Sequence, residues 1–324
     1  MPQTTTRQLR GAAVAVLIAN IGIVVTGGAV RLTDSGLGCP RVPMCTDESM
    51  VPHPETGIHG YIEFGNRLMT FVVGAAVLLL LVSAWRHRPR MPRVTTLALV
   101  VLAGIPGQAL VGMVTVWTAL NPWVVMLHFL LSMVLIVLSS WIVRLTREAP
   151  VAGTVWRRTV PKPARVLTVV LFVATCALVY AGTVVTASGP HAGDEDARRT
   201  GLDLALVSQL HADLAFLVIG LAVGTLLMFR ATRAPRRASR TARILLGLLL
   251  AQGAIGYVQY FTNLPELLVG LHMLGAALVL SSVTTVLLST REARHPTEST
   301  AVAGDATAEE PVSAAGPASL TPAS

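Results

Sequence analysis

Charged residues are scarce in this chain. Asp, Glu, Lys and Arg make up 13% of its 324 residues, where soluble domains hold about 25%. A chain so short of solvated side chains has too little polar surface to cover a core in water. Its apolar stretches hold no Cys₂His₂ or similar closed ligand set, which argues against structural zinc. The first apolar segment, which runs from Gly11 to Val30 behind Arg7 and Arg10, ends in Gly27-Gly28-Ala29-Val30-Arg31 without a convincing small-x-small cleavage site. A cleaved leader has an apolar core of only about 7–15 residues, so this segment is expected to stay as a first helix.

What the chain has instead is hydrophobicity. Apolar residues make up 53% of it, and the mean hydropathy is +0.64. About 20 consecutive apolar residues cross a bilayer, and such runs recur, as from Leu267 to Leu288. Backbone amides in hydrocarbon must pair within their own segment, which selects helices. The expected class is an all-α integral membrane protein with eight transmembrane helices. They fall near residues 11–30, 62–84, 94–116, 123–144, 165–187, 205–229, 242–262 and 267–290. Residues 296–324, rich in Ala, Pro, Ser, Thr and Glu, are expected to be a disordered tail.

The net charge of +8 raises nucleic acid as a partner, but its placement argues for topology. Of 25 basic residues, 20 fall in Arg7/Arg10, Arg86–Arg93, Arg144–Arg165, Arg230–Arg243 and Arg291/Arg294, after every second apolar run. Lys and Arg gather in cytoplasmic loops during insertion. The expectation is a multi-pass protein of the cell membrane, partnered by lipid and not by nucleic acid. Both termini, including residues 1–10, would be cytoplasmic.

The two halves resemble each other. Gln108, Gly112, Thr118, Leu120 and His128 match Gln252, Gly256, Thr262, Leu264 and His272 at one offset of 144. Phe71 aligns with Phe216, which sets Asn66 against His211. Gly28-Ala-Val-Arg-Leu-Thr-Asp-Ser-Gly corresponds to Gly182-Thr-Val-Val-Thr-Ala-Ser-Gly. An even number of helices per repeat makes the halves parallel. Two pseudo-symmetric four-helix bundles, 11–150 and 151–295, are therefore expected side by side.

Three histidines lie inside apolar helices: His128, His211 and His272. One isolated histidine would be read as a structural hydrogen-bonding group. Three at a common depth, two of them repeat-related, point instead to heme iron, because facing bundle helices accept a flat macrocycle. Ionisable groups at membrane depth are costly and usually functional. His211 and His272 are expected as a pair on neighbouring helices. His53, His87, His191 and His295 fall in loops and are expected to be mostly solvated. Met126, Met133 and Met273 read as packing.

Glu63 and Arg67 stand four apart at the start of helix 2, acid first, which suits a helical ion pair. They either anchor the helix end, or face a cavity with Glu63 moving a proton and Arg67 meeting an anion. Asp213 either supports His211 or makes an ordinary polar contact. Cys39 and Cys45 flank Pro40 and Pro43 in a loop of the outer compartment, where disulfides form. A bridge is expected over two free thiols, structural or redox-active. Cys176 reads as buried packing.

With these residues in view, the chain resembles the heme A synthase family from about residue 8 to 290. The resemblance is carried by Gly-Leu-Gly-Cys-Pro from Gly36, Glu-Phe-Gly-Asn-Arg from Glu63 and Ser-Gly-Pro-His-Ala-Gly-Asp from Ser188, with His128, His211 and His272. It implies heme b as cofactor on His211 and His272 and heme O as substrate in the first half, with His128 near the iron. It also implies oxidation of one porphyrin methyl to an aldehyde, with Glu63 handling protons. A farnesyltransferase (heme O synthase) would be the donor and a terminal oxidase the recipient; a homo-oligomer is left open. Members generally carry a histidine three residues after the glutamate, where this chain has Asn66. Either Asn66 leaves one iron face open, with Arg67 beside it, or His59 approaches from the start of helix 2. Two other readings stand beside this one: a non-catalytic di-heme carrier or heme-delivery protein, and a transporter.

Overall fold

The computed structural model describes residues 3–148 and 154–294; His295 and the expected tail at 296–324 lie outside them. Among the described residues, eight helices are long and apolar enough to cross a membrane. They are α1 (Thr6–Leu32), α2 (Gly57–Arg86), α3 (Pro92–Trp117), α4 (Pro122–Glu148), α5 (Lys162–Ser188), α6 (Leu204–Ala231), α7 (Arg236–Phe261) and α8 (Glu266–Leu288). The chain is a multi-pass membrane protein.

Local chemistry sets the helix starts. In α1, Thr5 Oγ1 accepts from the Gln8 amide at 3.2 Å while Gln8 Oε1 accepts from the Thr5 amide at 2.9 Å, a reciprocal cap. Asp203 caps α6 through Leu206 N–H at 2.9 Å. Proline stands at or just before the first helical residue of α3, α4, α7 and α8, where its missing N–H is no loss. Helices α2 and α7 begin several residues before their expected starts at 62 and 242. Hydropathy reports only the bilayer-crossing part of a helix, whereas α7 extends outward through Arg236, Arg237 and Arg240.

Each half closes into a ring. Helix α1 packs on α2, α2 on α3, α3 on α4 and α4 on α1; α5 to α8 repeat the same order. The seam joins α1 and α4 to α8, with α4 also touching α5. Val24, Met133 and Ile136 of the first half belong to the second half's core, alongside Leu171, Phe229, Leu245 and Val283. Ser140 Oγ and Ser281 Oγ meet at 2.8 Å across it. The duplication extends to backbone detail. Ala119 and Leu120 hold φ of 49° and 56° between α3 and α4, and Asn263 and Leu264 hold 58° each between α7 and α8. These non-glycine residues share a left-handed turn that is uncommon for side-chain-bearing residues.

At the arginine-rich face an unforeseen two-stranded ribbon pairs β1 (Val155–Arg158) with β2 (Arg291–Arg294), antiparallel, with Arg157 opposite Glu292. It ties the α4–α5 connection to the segment after α8. Arg144 pairs with Glu148 and donates to the Arg291 carbonyl at 2.9 Å. His87, expected to be solvated, is buried here. Its Nδ1 lies 2.9 Å from the Pro89 carbonyl, to which it donates, so its Nε2 accepts from the Thr6 hydroxyl at 3.2 Å.

Candidate functional site

The opposite face holds Asn66, His128, His211 and His272, near the N-terminal ends of α2, α4, α6 and α8. Each lies against a glycine of the preceding helix. A carbon added to Gly112 would sit 3.4 Å from His128 Cε1, and one on Gly256 would sit 3.5 Å from His272 Cε1. On Gly182 it would sit 3.0 Å from His211 Cε1, and on Gly27 it would sit 3.8 Å from both Asn66 amide atoms. The same contact therefore occurs once in each helix pair. It gives a physical reason for Gly112 and Gly256 keeping one register in both repeats. Only at Gly182 would a methyl group press on the ring.

The His211 and His272 rings have centres 6.2 Å apart and planes 65° apart. They do not sit on neighbouring helices as expected, because α6 and α8 face each other across their ring. Two imidazoles bonded to one metal at about 2 Å each have centres roughly 6 Å apart. Nδ1 of His128, His211 and His272 is enclosed without a hydrogen bond; the Leu178 carbonyl approaches His211 without meeting hydrogen-bond geometry. No group of three or more His, Cys, Asp or Glu forms a metal cluster among the described residues. A metal between these two rings would need its remaining ligands from a non-protein group. A porphyrin supplies an equatorial set and leaves two axial places for imidazole, so the donor set fits heme.

Two glutamines support the histidine helices and escaped the sequence reading as site residues. Gln108 Nε2 donates to the His128 carbonyl at 3.3 Å and to Ser132 Oγ at 2.8 Å; Gln252 Nε2 donates to the His272 carbonyl at 2.8 Å. Their shared register in the repeat was the available signal. Such interhelical bonds contribute about 0.6 kcal/mol each in a membrane.

Glu63 and Arg67 form the expected pair, and the pair grips the cysteine loop. Arg67 Nε reaches Glu63 Oε1 at 3.1 Å, while Cys39 N–H donates to Glu63 Oε2 at 2.7 Å. Arg67 also donates to the carbonyls of Cys39 at 2.8 Å and Met44 at 3.1 Å. Cys39 and Cys45 are joined in a disulfide, and both are fully buried. The expected bridge is present, and the backbone amide of Cys39 in it holds the Glu63 carboxylate. His59 is exposed, with Nδ1 3.0 Å from Ser35 Oγ.

Other expectations come out differently. Asp213 is exposed and accepts from Gln209 at 2.8 Å, with no bond to His211. Cys176 is exposed on α5 and not buried. His191 is not merely solvated: its Nε2 donates to the Leu264 carbonyl at 2.9 Å, and its own carbonyl accepts from Arg31 Nε at 2.6 Å. Arg31 reaches the Thr186 carbonyl at 2.8 Å and Gly36 N–H meets the Gly193 carbonyl at 2.8 Å, so this loop straps the two halves together.

Duplicated four-helix rings, with two partly buried imidazoles facing each other inside one of them, characterise this multi-pass membrane protein. Residues 53–193 match the family described as COX15-CtaA, cytochrome oxidase assembly protein. A protein of Lysinibacillus sphaericus (strain C3-41) named heme A synthase is 31% identical over 182 residues, covering 55% of this chain and 58% of that one. One of the same name from Geobacillus kaustophilus (strain HTA426) is 31% identical over 132 residues, covering 40% and 41%. A third, from Bacillus cereus (strain AH187), is 27% identical over 129 residues, covering 40% of each. On these matches the chain is similar to proteins named heme A synthase. It spans 58% of the length of the first of these relatives and 41% of the second.

Proposed function

We propose that this protein is a membrane oxidoreductase that converts heme O to heme A, oxidising one porphyrin methyl group to a formyl group. The observation that carries this reading is the His211–His272 pair, whose ring centres 6.2 Å apart would let both imidazoles hold one heme iron. The relatives named heme A synthase support the substrate. His211 and His272 hold heme b, which supplies one-electron redox chemistry when bound. His128 binds heme O in the first half, beside Asn66. The arginine-rich face and both chain ends are cytoplasmic by the positive-inside rule, which puts both sites toward the outer surface.

Converting a methyl to a formyl group takes one oxygen atom from water and releases four protons and four electrons; the electrons pass through heme b to an external acceptor, and an outer-face base is needed to take the protons. Glu63 is the candidate, buried at the edge of the first ring and held by Arg67 and the Cys39 amide. This grip fixes the carboxylate in one place, as general-base work requires. The disulfide loop serves to hold the base and to cover the mouth of the bundle.

The test is to purify the full chain in detergent, extract its hemes and separate them. The expected extract contains heme b with heme O and heme A, and Glu63→Gln retains heme b while losing heme A. Normal heme A from Glu63→Gln would overturn its proton role. An extract holding heme b alone would overturn the enzyme reading and favour an electron carrier.

A further inference from the structure

Three of the four equivalent positions carry imidazole and the fourth carries an amide. Asn66 lies against Gly27 as His211 lies against Gly182, so the two occupy matching places in the repeat. The asparagine side chain is shorter than imidazole, and its position is tied back to α1. Thr26 Oγ1 lies 2.7 Å from the Asn66 amide and 3.1 Å from the Ile23 carbonyl. This contact engages one end of the amide. A neutral amide is also a far weaker iron ligand than imidazole.

His59 does not fill the gap. It stands seven residues before Asn66, about 10 Å along the helix axis, and its Nδ1 is engaged by Ser35. Glu63, between them, has both oxygens engaged by Arg67 and Cys39.

Resting on the assignment of heme to both halves, we propose that the two iron sites differ in kind. The second is closed by His211 and His272. The first has His128 as its single protein ligand and an open position facing α2, where a small diatomic ligand binds beside the Asn66 amide. Polarity and hydrogen-bonding groups over an open iron face decide whether such ligands are held. Asn66 is thus a positioning residue for a bound small molecule, and imidazole at that place would exclude it.

The test uses full-length protein reconstituted with hemin to two per chain, reduced with dithionite and titrated with carbon monoxide. One of the two irons is expected to bind carbon monoxide, and the other to keep an unchanged low-spin spectrum. Asn66→His is expected to abolish the carbon monoxide response and give two low-spin irons. Asn66→Ala, which removes the hydrogen-bonding group while leaving the position open, is expected to keep binding but release the ligand several-fold faster. Two low-spin irons in the wild type, neither binding carbon monoxide, would overturn the open site, as would an Asn66→His protein that still binds it. If His59→Ala then created the response, His59 would be the missing ligand. A chain that takes up only one heme, with or without His128, would overturn the two-heme reading itself.

Discussion

Gly28 of α1 lies against the Met273 thioether, with the site of an added carbon 3.0 Å from Met273 Cε. Met273 directly follows His272, and Gly27, the residue before Gly28 in α1, backs Asn66. One helix of the first half therefore touches the surroundings of both candidate iron sites. A thioether end is flexible, so Gly28→Ala is expected to be accommodated. Gly28→Leu would overpack the seam, costing about 1–3 kcal/mol and displacing Met273 together with His272. Thermal unfolding in detergent, read with the absorption of bound heme, checks both variants. A Gly28→Leu protein with wild-type stability and spectrum would contradict the seam contact.

The glycines behind the histidines rank by their distances. At Gly182 the ring is close enough that even a methyl group presses on it, whereas at Gly256 an added methyl makes ordinary contact. Gly256→Ala is expected to bind heme as the wild type does. Gly182→Val, with a branched side chain against His211, is expected to lose most of the pigment from the second half. Heme content per chain after purification decides this, and equal retention by both variants would contradict the ranking.

Glu63, Arg67 and the disulfide loop form one unit. Removing the Glu63 carboxylate leaves a partly buried guanidinium without its charge partner, since the Arg67 side chain is 24% exposed. Glu63→Ala is expected to destabilise the protein by about 3 kcal/mol, at the low end for a broken buried pair. Residues in one hydrogen-bonded network couple by about 0.5–3 kcal/mol. The cost of Glu63→Ala combined with Cys39→Ser and Cys45→Ser is therefore expected to fall short of the sum of the separate costs. Unfolding of the four proteins completes the cycle, and strict additivity would show that the loop and carboxylate act independently.

Much of this architecture was legible because it is periodic or duplicated. Eight apolar runs foretold eight helices, and the offset of 144 picked out His128 and His272 with Gln108, Gly112 and their partners. The turn residues Leu120 and Leu264 sit in that register because they share one left-handed turn. What escaped has no periodic trace. The β1–β2 ribbon joins segments far apart in sequence, and Arg157 and Glu292 read as ordinary loop charges. His87 and His191 stand in loops yet bond to carbonyls that only the folded chain brings near. Hydropathy cannot tell a core position from a lipid-facing one, which is why Cys176 was misplaced. Helix order alone also does not distinguish neighbours in a ring from helices facing across it, as α6 and α8 do.

The His211–His272 pair is tested most directly by electron paramagnetic resonance of the oxidised, heme-loaded protein. The expected result is a low-spin signal from two imidazole ligands that disappears in both His211→Ala and His272→Ala and persists in His128→Ala. A signal unchanged by either of the first two substitutions would mean that these rings do not share an iron.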